Sequence, residues 1–356
     1  MKQKGIAIIG RMTNGLQSLD GQTVKTKTLY DELRRSFPDR RFVIADMYAY
    51  KKHVCSILWQ TLRAFVTCEH IFVLLSKNGR KFFFPILTGL NHLFHRRLYH
   101  DVIGGALPDE AKQNPALQKH LRQFEVNWVE FDRMKQDLHN LGVDNVEVLP
   151  NFKRLSILQP GEVNTNTTPP FIFSTFSRVM EEKGISDAIR STAAVNKHFG
   201  KTVALLHIYG PVHEPYQQTF DELLAAHADC VSYKGCVPQD ESVAALRSSH
   251  MLLFPTRYRG EGMPGPIVDA FSAGLPVLAT NWHFNEELVH PMRTGYCYDW
   301  DKPELLTHYM IEAVSHPETI HAMRIRCLEE TRRYTPEIVM QTILRRMDAS
   351  GEKAAV

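Results

Sequence analysis

The sequence predicts an α/β architecture of two doubly wound, parallel-sheet domains in tandem. Three observations predict it. Short apolar runs that end in glycine or polar clusters alternate with helix-period segments along the chain. The alternation is broken once, by QPGEVNTNTTPP at 159–170, which is almost devoid of apolar side chains and reads as a linker. The length, 356 residues, suits two domains, each large enough for its own hydrophobic core. The expected layout is a first domain over 1–158, the linker over 159–170 and a second domain over 171–335. A terminal helix at 336–356 can pack back on the first domain.

The elements follow in order. IAIIG (6–10) is the first strand, and a polar, glycine-bearing stretch occupies 11–22. Val24, Thr28, Leu29, Leu33 and Phe37 then fall near helical spacing. RFVIADM (41–47), HIFVLLS (70–76), RRLYHDVIGG (96–105) and FEVNWVEF (124–131) read as the next strands. RMKQDLHNLGV (133–143) reads as a helix stopped by Gly142, and VEVLPN (146–151) closes the half. After the linker, strands are expected at 171–176, 202–210, 230–235, 250–256 and 276–280. Helices are expected between them at 182–199, 216–227, 241–249 and 266–274, and the tail beyond 302 reads as helical. Open α/β sheets take their ligands at the carboxyl ends of their strands, so the expected site is a cleft facing those ends.

Composition excludes several classes. With 44% apolar and 23% charged residues the chain is neither disordered nor a multi-span membrane protein. Six scattered cysteines without a C-x-x-C pair argue against a disulfide scaffold and a cysteine zinc site, and fit a reducing cytoplasm. Ile6–Ile9 is too short for a signal sequence, and no apolar run is long enough to span a bilayer. Charge is uneven. Residues 1–168 hold 24 Lys and Arg against 16 Asp and Glu, whereas residues 169–356 hold 18 against 23. The basic half points to an anionic partner or to a solvated basic face. It lacks any nucleic-acid-binding signature, so no nucleic acid is expected.

The densest chemical signal is TRYRGEGMPGPIVDAFSAGLPVLAT (256–280). Gly260, Gly262, Gly265 and Pro264 lie between a strand and a helix, where glycine lets a ligand approach the backbone. The helix that starts near Pro266 offers its N–H groups and positive dipole end to an anion. Glu261 sits in the loop and Asp269 eight residues later, early in the helix. Carboxylates are good acceptors for sugar hydroxyls; the alternative for Asp269 is support of the helix dipole.

This segment resembles the Glu-x7-Glu signature of the retaining glycosyltransferases of family 4, which have the GT-B fold of two Rossmann-like domains. Asp269 stands where the second Glu is usual, a position that holds the nucleotide ribose. Glu261 would then orient the donor sugar, and Gly262, Met263, Pro264 and Gly265 would line the donor. FSTFSRVMEEKG (173–184) resembles the family's G-R-x4-K-G segment, with Ser177 replacing Gly. The resemblance makes Arg178 and Lys183 the diphosphate clamp, which is physically sensible because cations stabilise a departing phosphate. Without it they are two surface cations near a helix start. HIYGP (207–211) and YKGCV (233–237) match glycine turns of the family, making Gly210, Lys234, Gly235 and Val237 donor or base contacts. Glu286 and Glu287 fall in the stretch that ends the family's site.

In the first half the resemblance implies an acceptor and phosphate loop at Gly21 and Gln22, and a second at Gly104 and Gly105. His100, four residues before Gly104, is either a base or a packed strand histidine. Asp299-Trp300-Asp301 has the spacing of a metal-binding D-x-D but lies in an expected surface turn. No metal or other cofactor is expected. KNGRKFFFPILTGLNHLFHRR (77–97) reads either as a crossover helix or as an interfacial helix with basic flanks on anionic headgroups.

The function implied is retaining transfer of a sugar from a UDP- or GDP-sugar to a glycan or lipid-linked saccharide, in bacterial capsule, O-antigen or exopolysaccharide synthesis. The implied location is the cytoplasm or the inner face of its membrane. The rivals are a sugar-nucleotide epimerase or hydrolase of the same fold, and a non-catalytic sugar-nucleotide binder.

Overall fold

The computed structural model describes residues 5–13, 21–48 and 52–352. The chain divides into two compact units. The first holds Met1–Lys153, Gly260–Met263 and Pro336–Val356; the second holds Arg154–Arg259 and Pro264–Thr335.

The first unit runs β1 (Gly5–Gly10), α1 (Gly21–Ser36), β2 (Phe42–Asp46), α2 (Val54–Thr67), β3 (Cys68–Leu74) and α3 (Lys77–Phe94). It continues with β4 (Arg97–Asp101), α4 (Leu107–Gln113), α5 (Pro115–Leu121), β5 (Val126–Val129), α6 (Asp132–His139) and β6 (Val146–Val148). All six residues of β1 are buried, as a central parallel strand covered on both faces requires. The sheet order is β2-β1-β3-β4-β5-β6, every pairing parallel. Because β1 lies between β2 and β3, the winding reverses there, which makes the carboxyl ends of β1 and β3 the switch point of this sheet. On one face Phe72, Tyr99 and Trp128 stack across three strands, with centroids 4.9 and 5.5 Å apart. Val339, Met340, Ile343 and Met347 complete that core.

The second unit runs β7 (Phe171–Phe176), α7 (Ile185–Phe199), β8 (Ala204–Tyr209), α8 (Gln217–Ala226), β9 (Val231–Gly235) and α9 (Ser242–Leu246). Then come β10 (Met251–Phe254), α10 (Gly265–Ser272), β11 (Val277–Thr280), β12 (Gly295–Tyr298), α11 (Glu304–Ser315) and α12 (Pro317–Thr331). The last helix, α13 (Pro336–Glu352), belongs to the first unit and supplies its four core residues. The second sheet has the order β12-β11-β10-β7-β8-β9, again parallel throughout, with its switch point between β7 and β10. Its core gathers Phe171, Phe173, Ile189 and Leu206 with Leu306, Met310 and Met323 of the two following helices.

Several expected strands are shorter than the apolar runs that announce them. The run at 96–105 pairs only as far as Asp101; Val102 N closes the ladder by donating to Trp128 O at 3.0 Å, and the chain then turns at Gly104, which takes φ 81°. The segment at 182–199 opens with a 3-10 turn, Glu181–Lys183, before α7 begins. α2, α4, α5 and β12 were not foreseen.

Candidate active site

In the second unit the loops at the switch point are laced together. Ser177 N donates to Tyr209 O at 3.1 Å, Val179 N to Pro211 O at 2.9 Å, and Gly210 N to Gly235 O at 2.8 Å. Gly210 takes φ 128°, and a Cβ there would lie 1.9 Å from Ser177 O. Only glycine lets the turn after β8 meet the turn after β7. Arg178 emerges from this junction exposed to solvent. Across the switch point, Arg257 N donates to Glu182 O at 2.7 Å and the Arg257 guanidinium pairs with Asp187 at 2.9 Å. Lys183, half-buried, holds its ammonium 5.0 Å above the Tyr258 ring and 5.6 Å from that of Phe254. The junction therefore presents two cations, one exposed and one aromatic-backed, at the carboxyl ends of β7 and β10. That is suited to a ligand carrying phosphate.

Lys234 is exposed at the end of β9, and Gly235 and Val237 are half-buried beyond it. Burial, with help from Lys234, holds the His207 imidazole below its ordinary pKa. Pro264 caps α10 and Gly265 is its first residue. Asp269 is 1% exposed, and its Oδ1 accepts from Ser242 Oγ at 3.1 Å. Glu286 is exposed and Glu287 half-buried in a 3-10 turn after β11. Asp299 pairs with Lys302 at 2.8 Å and accepts from Asn281 at 3.0 Å, so the D-x-D turn is occupied by its own neighbours. Among the described residues no cluster of three His, Cys, Asp or Glu is arranged for a metal ion.

Glu261, Gly262 and Met263 belong to the first unit. There Gly105 N donates to Glu261 O at 3.2 Å, so the Gly104-Gly105 turn and the Glu261 segment meet. Beneath them lies a buried ionic cluster that sequence reasoning missed. Lys25, from α1, sits 2.7 Å from Asp101 Oδ1 and donates to Glu130 Oε1 and Val102 O, both at 2.8 Å. Burial alone would lower the pKa of Lys25, but the two carboxylates outweigh it and hold the ammonium charged. Burial pushes the Asp101 carboxyl up, against the pull of Lys25. The available signal was topological: two acids end two apolar strands that turn out to be neighbours.

Gln22 lies at the switch point of the first sheet, where its Nε2 donates to Leu74 O at 3.2 Å. It lines a cavity of about 490 Å³ with Arg11, Tyr48, Lys52, Asn78 and Phe82. Gly21 opens α1; residues 14–20 of the preceding stretch lie outside the described residues. His100 is fully buried between Phe84 and Phe124, with Nδ1 3.0 Å from Asn127 Oδ1. Burial, then the Arg80 charge, pushes its pKa down to about 3, so it is a neutral core histidine.

α2 and α3 pack together, and each carries exposed apolar side chains. Val54, Leu58, Trp59, Leu62 and Val66 on α2 and Phe82, Ile86 and Leu93 on α3 are exposed, Trp59 by 64% and Leu93 by 73%. No described helix is long and apolar enough to cross a membrane.

Residues 159–328 match the family model of glycosyl transferases group 1. No curated protein sequence matches the chain. Among solved structures, Anabaena HepE in complex with UDP is 12% identical, with a TM-score of 0.74 over 97% of this chain and 100% of that one. Sucrose-phosphate synthase from Thermosynechococcus elongatus is also 12% identical, with a TM-score of 0.74 over 98% and 100% of the two chains. The lipopolysaccharide outer core galactosyltransferase WaaB, in its apo form, is 11% identical, with a TM-score of 0.70 over 97% and 99%. The chain has the GT-B fold. The group 1 match holds Arg178, Lys183, Glu261 and Asp269, whereas Gln22, His100, Gly104 and Gly105 lie outside it.

Proposed function

We infer that the chain transfers a sugar, with retention of anomeric configuration, from a nucleotide-diphospho sugar to a saccharide or lipid-linked saccharide acceptor. The observation that carries this is the cation pair at the second switch point, inside the segment that matches group 1. HepE in complex with UDP and with UDP-glucose supports a UDP-sugar as donor. WaaB, a lipopolysaccharide galactosyltransferase, supports a surface-polysaccharide role.

In this reading the bond from the anomeric carbon to the phosphate oxygen breaks, and its electron pair leaves with the diphosphate. Arg178 and Lys183 stabilise that growing charge. The acceptor hydroxyl oxygen forms the new bond on the same face, and its proton passes to the leaving phosphate. Glu261 orients the sugar hydroxyls. Asp269 takes the ribose with acceptor capacity beyond the lone pair that Ser242 uses. Gly210, Lys234, Gly235 and Val237 border the nucleotide. His100 receives no chemical role, because a core histidine with a pKa near 3 neither reaches substrate nor holds a proton at neutral pH.

The acceptor is assigned to the first unit. Its cavity carries Arg11 and Lys52, and one lining residue, Phe82, is also one of the exposed apolar side chains of α2 and α3. A polar head in the cavity and a lipid tail along those side chains would fit a lipid-linked acceptor on an anionic membrane surface.

The test is a melting panel with UDP-, GDP-, ADP- and dTDP-sugars on the wild type and on Arg178→Ala and Glu261→Ala. Saturation at a hundredfold excess over Kd adds about 2.7 kcal/mol. One nucleotide class should stabilise the wild type and lose most of its effect in Arg178→Ala, while Glu261→Ala loses the sugar-dependent part. A donor consumed without any acceptor would make the chain an epimerase or hydrolase. No stabilisation by any donor would overturn the reading.

A further inference from the structure

We propose that Glu130, locked by Lys25, is a positioning residue that sets the backbone of Gly260–Met263 and thereby aims the Glu261 carboxylate. The proposal rests on the role given to Glu261 above.

The geometry is direct. Glu130 Oε2 accepts from Met263 N at 2.7 Å, two residues beyond Glu261. Its other oxygen accepts from Lys25 Nζ at 2.8 Å, and Lys25 is anchored in turn on Val102 O and Asp101. The carboxylate therefore cannot rotate without breaking a buried ion pair, both of whose side chains are only 4% exposed. Gly262 fits the same picture. A Cβ there would lie 2.4 Å from Glu130 Oε2 and 3.1 Å from Gly104 Cα, so glycine is what permits the carboxylate to sit under the loop. Two further bonds hold the segment: Gly105 N to Glu261 O at 3.2 Å, and Asn151 N to the Met263 side-chain Sδ at 3.1 Å.

A buried ion cluster is weak evidence for stability, since well-packed apolar residues often serve as well or better. Here the cluster does something apolar residues cannot. It offers a charged, rotationally fixed acceptor to one peptide N–H of a loop. A charged acceptor makes a shorter and stronger bond than a neutral one. Fixing a loop backbone fixes the direction of its side chains, and misplacement by about 1 Å can cost a hundredfold in rate.

The experiment uses the full chain and four variants: Glu130→Leu, Glu130→Gln, Lys25→Met and Glu261→Ala. The first readout is amide hydrogen exchange at 260–263, which needs no substrate. The second is nucleotide release from UDP-, GDP-, ADP- and dTDP-glucose in the presence of a lipid-linked saccharide acceptor, counted above release without it and resolved into kcat and KM.

Exchange at 260–263 should quicken at least about tenfold in Glu130→Leu, and much less in Glu130→Gln, which keeps an acceptor. With the turned-over donor, Glu130→Leu should lose roughly tenfold to a hundredfold in kcat with KM within about threefold, and Gln should rescue most of it. Unchanged exchange in Glu130→Leu, or turnover that tracks melting temperature alone, would overturn the proposal. Should Glu130→Leu fail to fold, Lys25→Met decides: it frees Glu130 to turn, so faster exchange supports the proposal and unchanged exchange overturns it. Glu261→Ala separates the two readings. Wild-type turnover in that variant sinks the role of Glu261, whatever Glu130 does to the loop.

Discussion

At Gly210 one missing carbon determines whether three loops can meet. Its φ of 128° suits no side chain, and a Cβ would strike Ser177 O, the carbonyl beside Arg178. Gly210→Ala is expected to destabilise the second unit by about 1–3 kcal/mol from backbone strain alone. It should also weaken nucleotide binding, because the displaced carbonyl precedes Arg178. Calorimetry with and without UDP separates the two effects; an unchanged melt with unchanged binding would contradict the geometry. Arg178 and Lys183 are named through the resemblance of their segment to a family motif, and the structure places both in the turn that follows β7. The Lys25, Asp101 and Glu130 cluster was not legible in the sequence. Its members come from a helix and two strand ends, and Lys25 reads locally as part of a polar helix face. Only the strand neighbours β4 and β5 bring the acids together.

At the scale of elements, the two readings of 77–97 describe two faces of one helix. Phe83, Phe84 and Leu87 of α3 are buried on the sheet, as a crossover helix requires, while Phe82, Ile86 and Leu93 are exposed. α2 escaped detection for the same reason that makes it interesting. Its buried Ile57, Thr61, Ala64 and Phe65 do follow helical spacing, but exposed apolar Trp59, Leu62 and Val66 lie among them and blur the pattern. β12, GYCY, lacks the aliphatic run that marks the equally short β10 and β11. Between residues 48 and 100 the chain has eight Lys and Arg and one acid, Glu69. An apolar face on a basic surface fits an anionic interface. The wild type should sediment with phosphatidylglycerol vesicles, far less with phosphatidylcholine, and less as salt rises. Trp59→Ser combined with Leu93→Ser should abolish sedimentation while changing stability by no more than about 0.5 kcal/mol per substitution, as expected for exposed positions. Equal binding to both lipids, or none, would remove the membrane from the proposal.

At the scale of the whole molecule, alternation of strand and helix revealed two doubly wound sheets, but not their strand order. α13 belongs to the first unit, where the sequence reading allowed it to pack, whereas Gly260–Met263 rejoins that unit through contacts that no local pattern encodes. The same burial gives the chain a collective pH response. His70, His100 and His250 are at most 4% exposed. Burial chiefly, with nearby arginines assisting, pushes His70 and His250 down to about 4 and His100 to about 3. His250 also needs its neutral form, since Nδ1 accepts from Ile172 N at 2.9 Å. Each folded pKa lies below the unfolded value of about 6.5, so below that pH the unfolded chain binds protons that the folded chain refuses. Stability is therefore full above about 6.5 and falls by about 1.4 kcal/mol per pH unit for each histidine as pH drops towards 4. Asp101 and Asp187, both pushed up by burial, work with the opposite sign and offset part of the loss. Melts from pH 7.5 to 4.5 should show a steep acid limb beginning near 6.5. In His250→Gln, which keeps an acceptor for Ile172 N–H, the limb should lose about a third of its slope. A melting temperature that stays level from pH 7 to 5 would mean that these rings meet water in the folded chain.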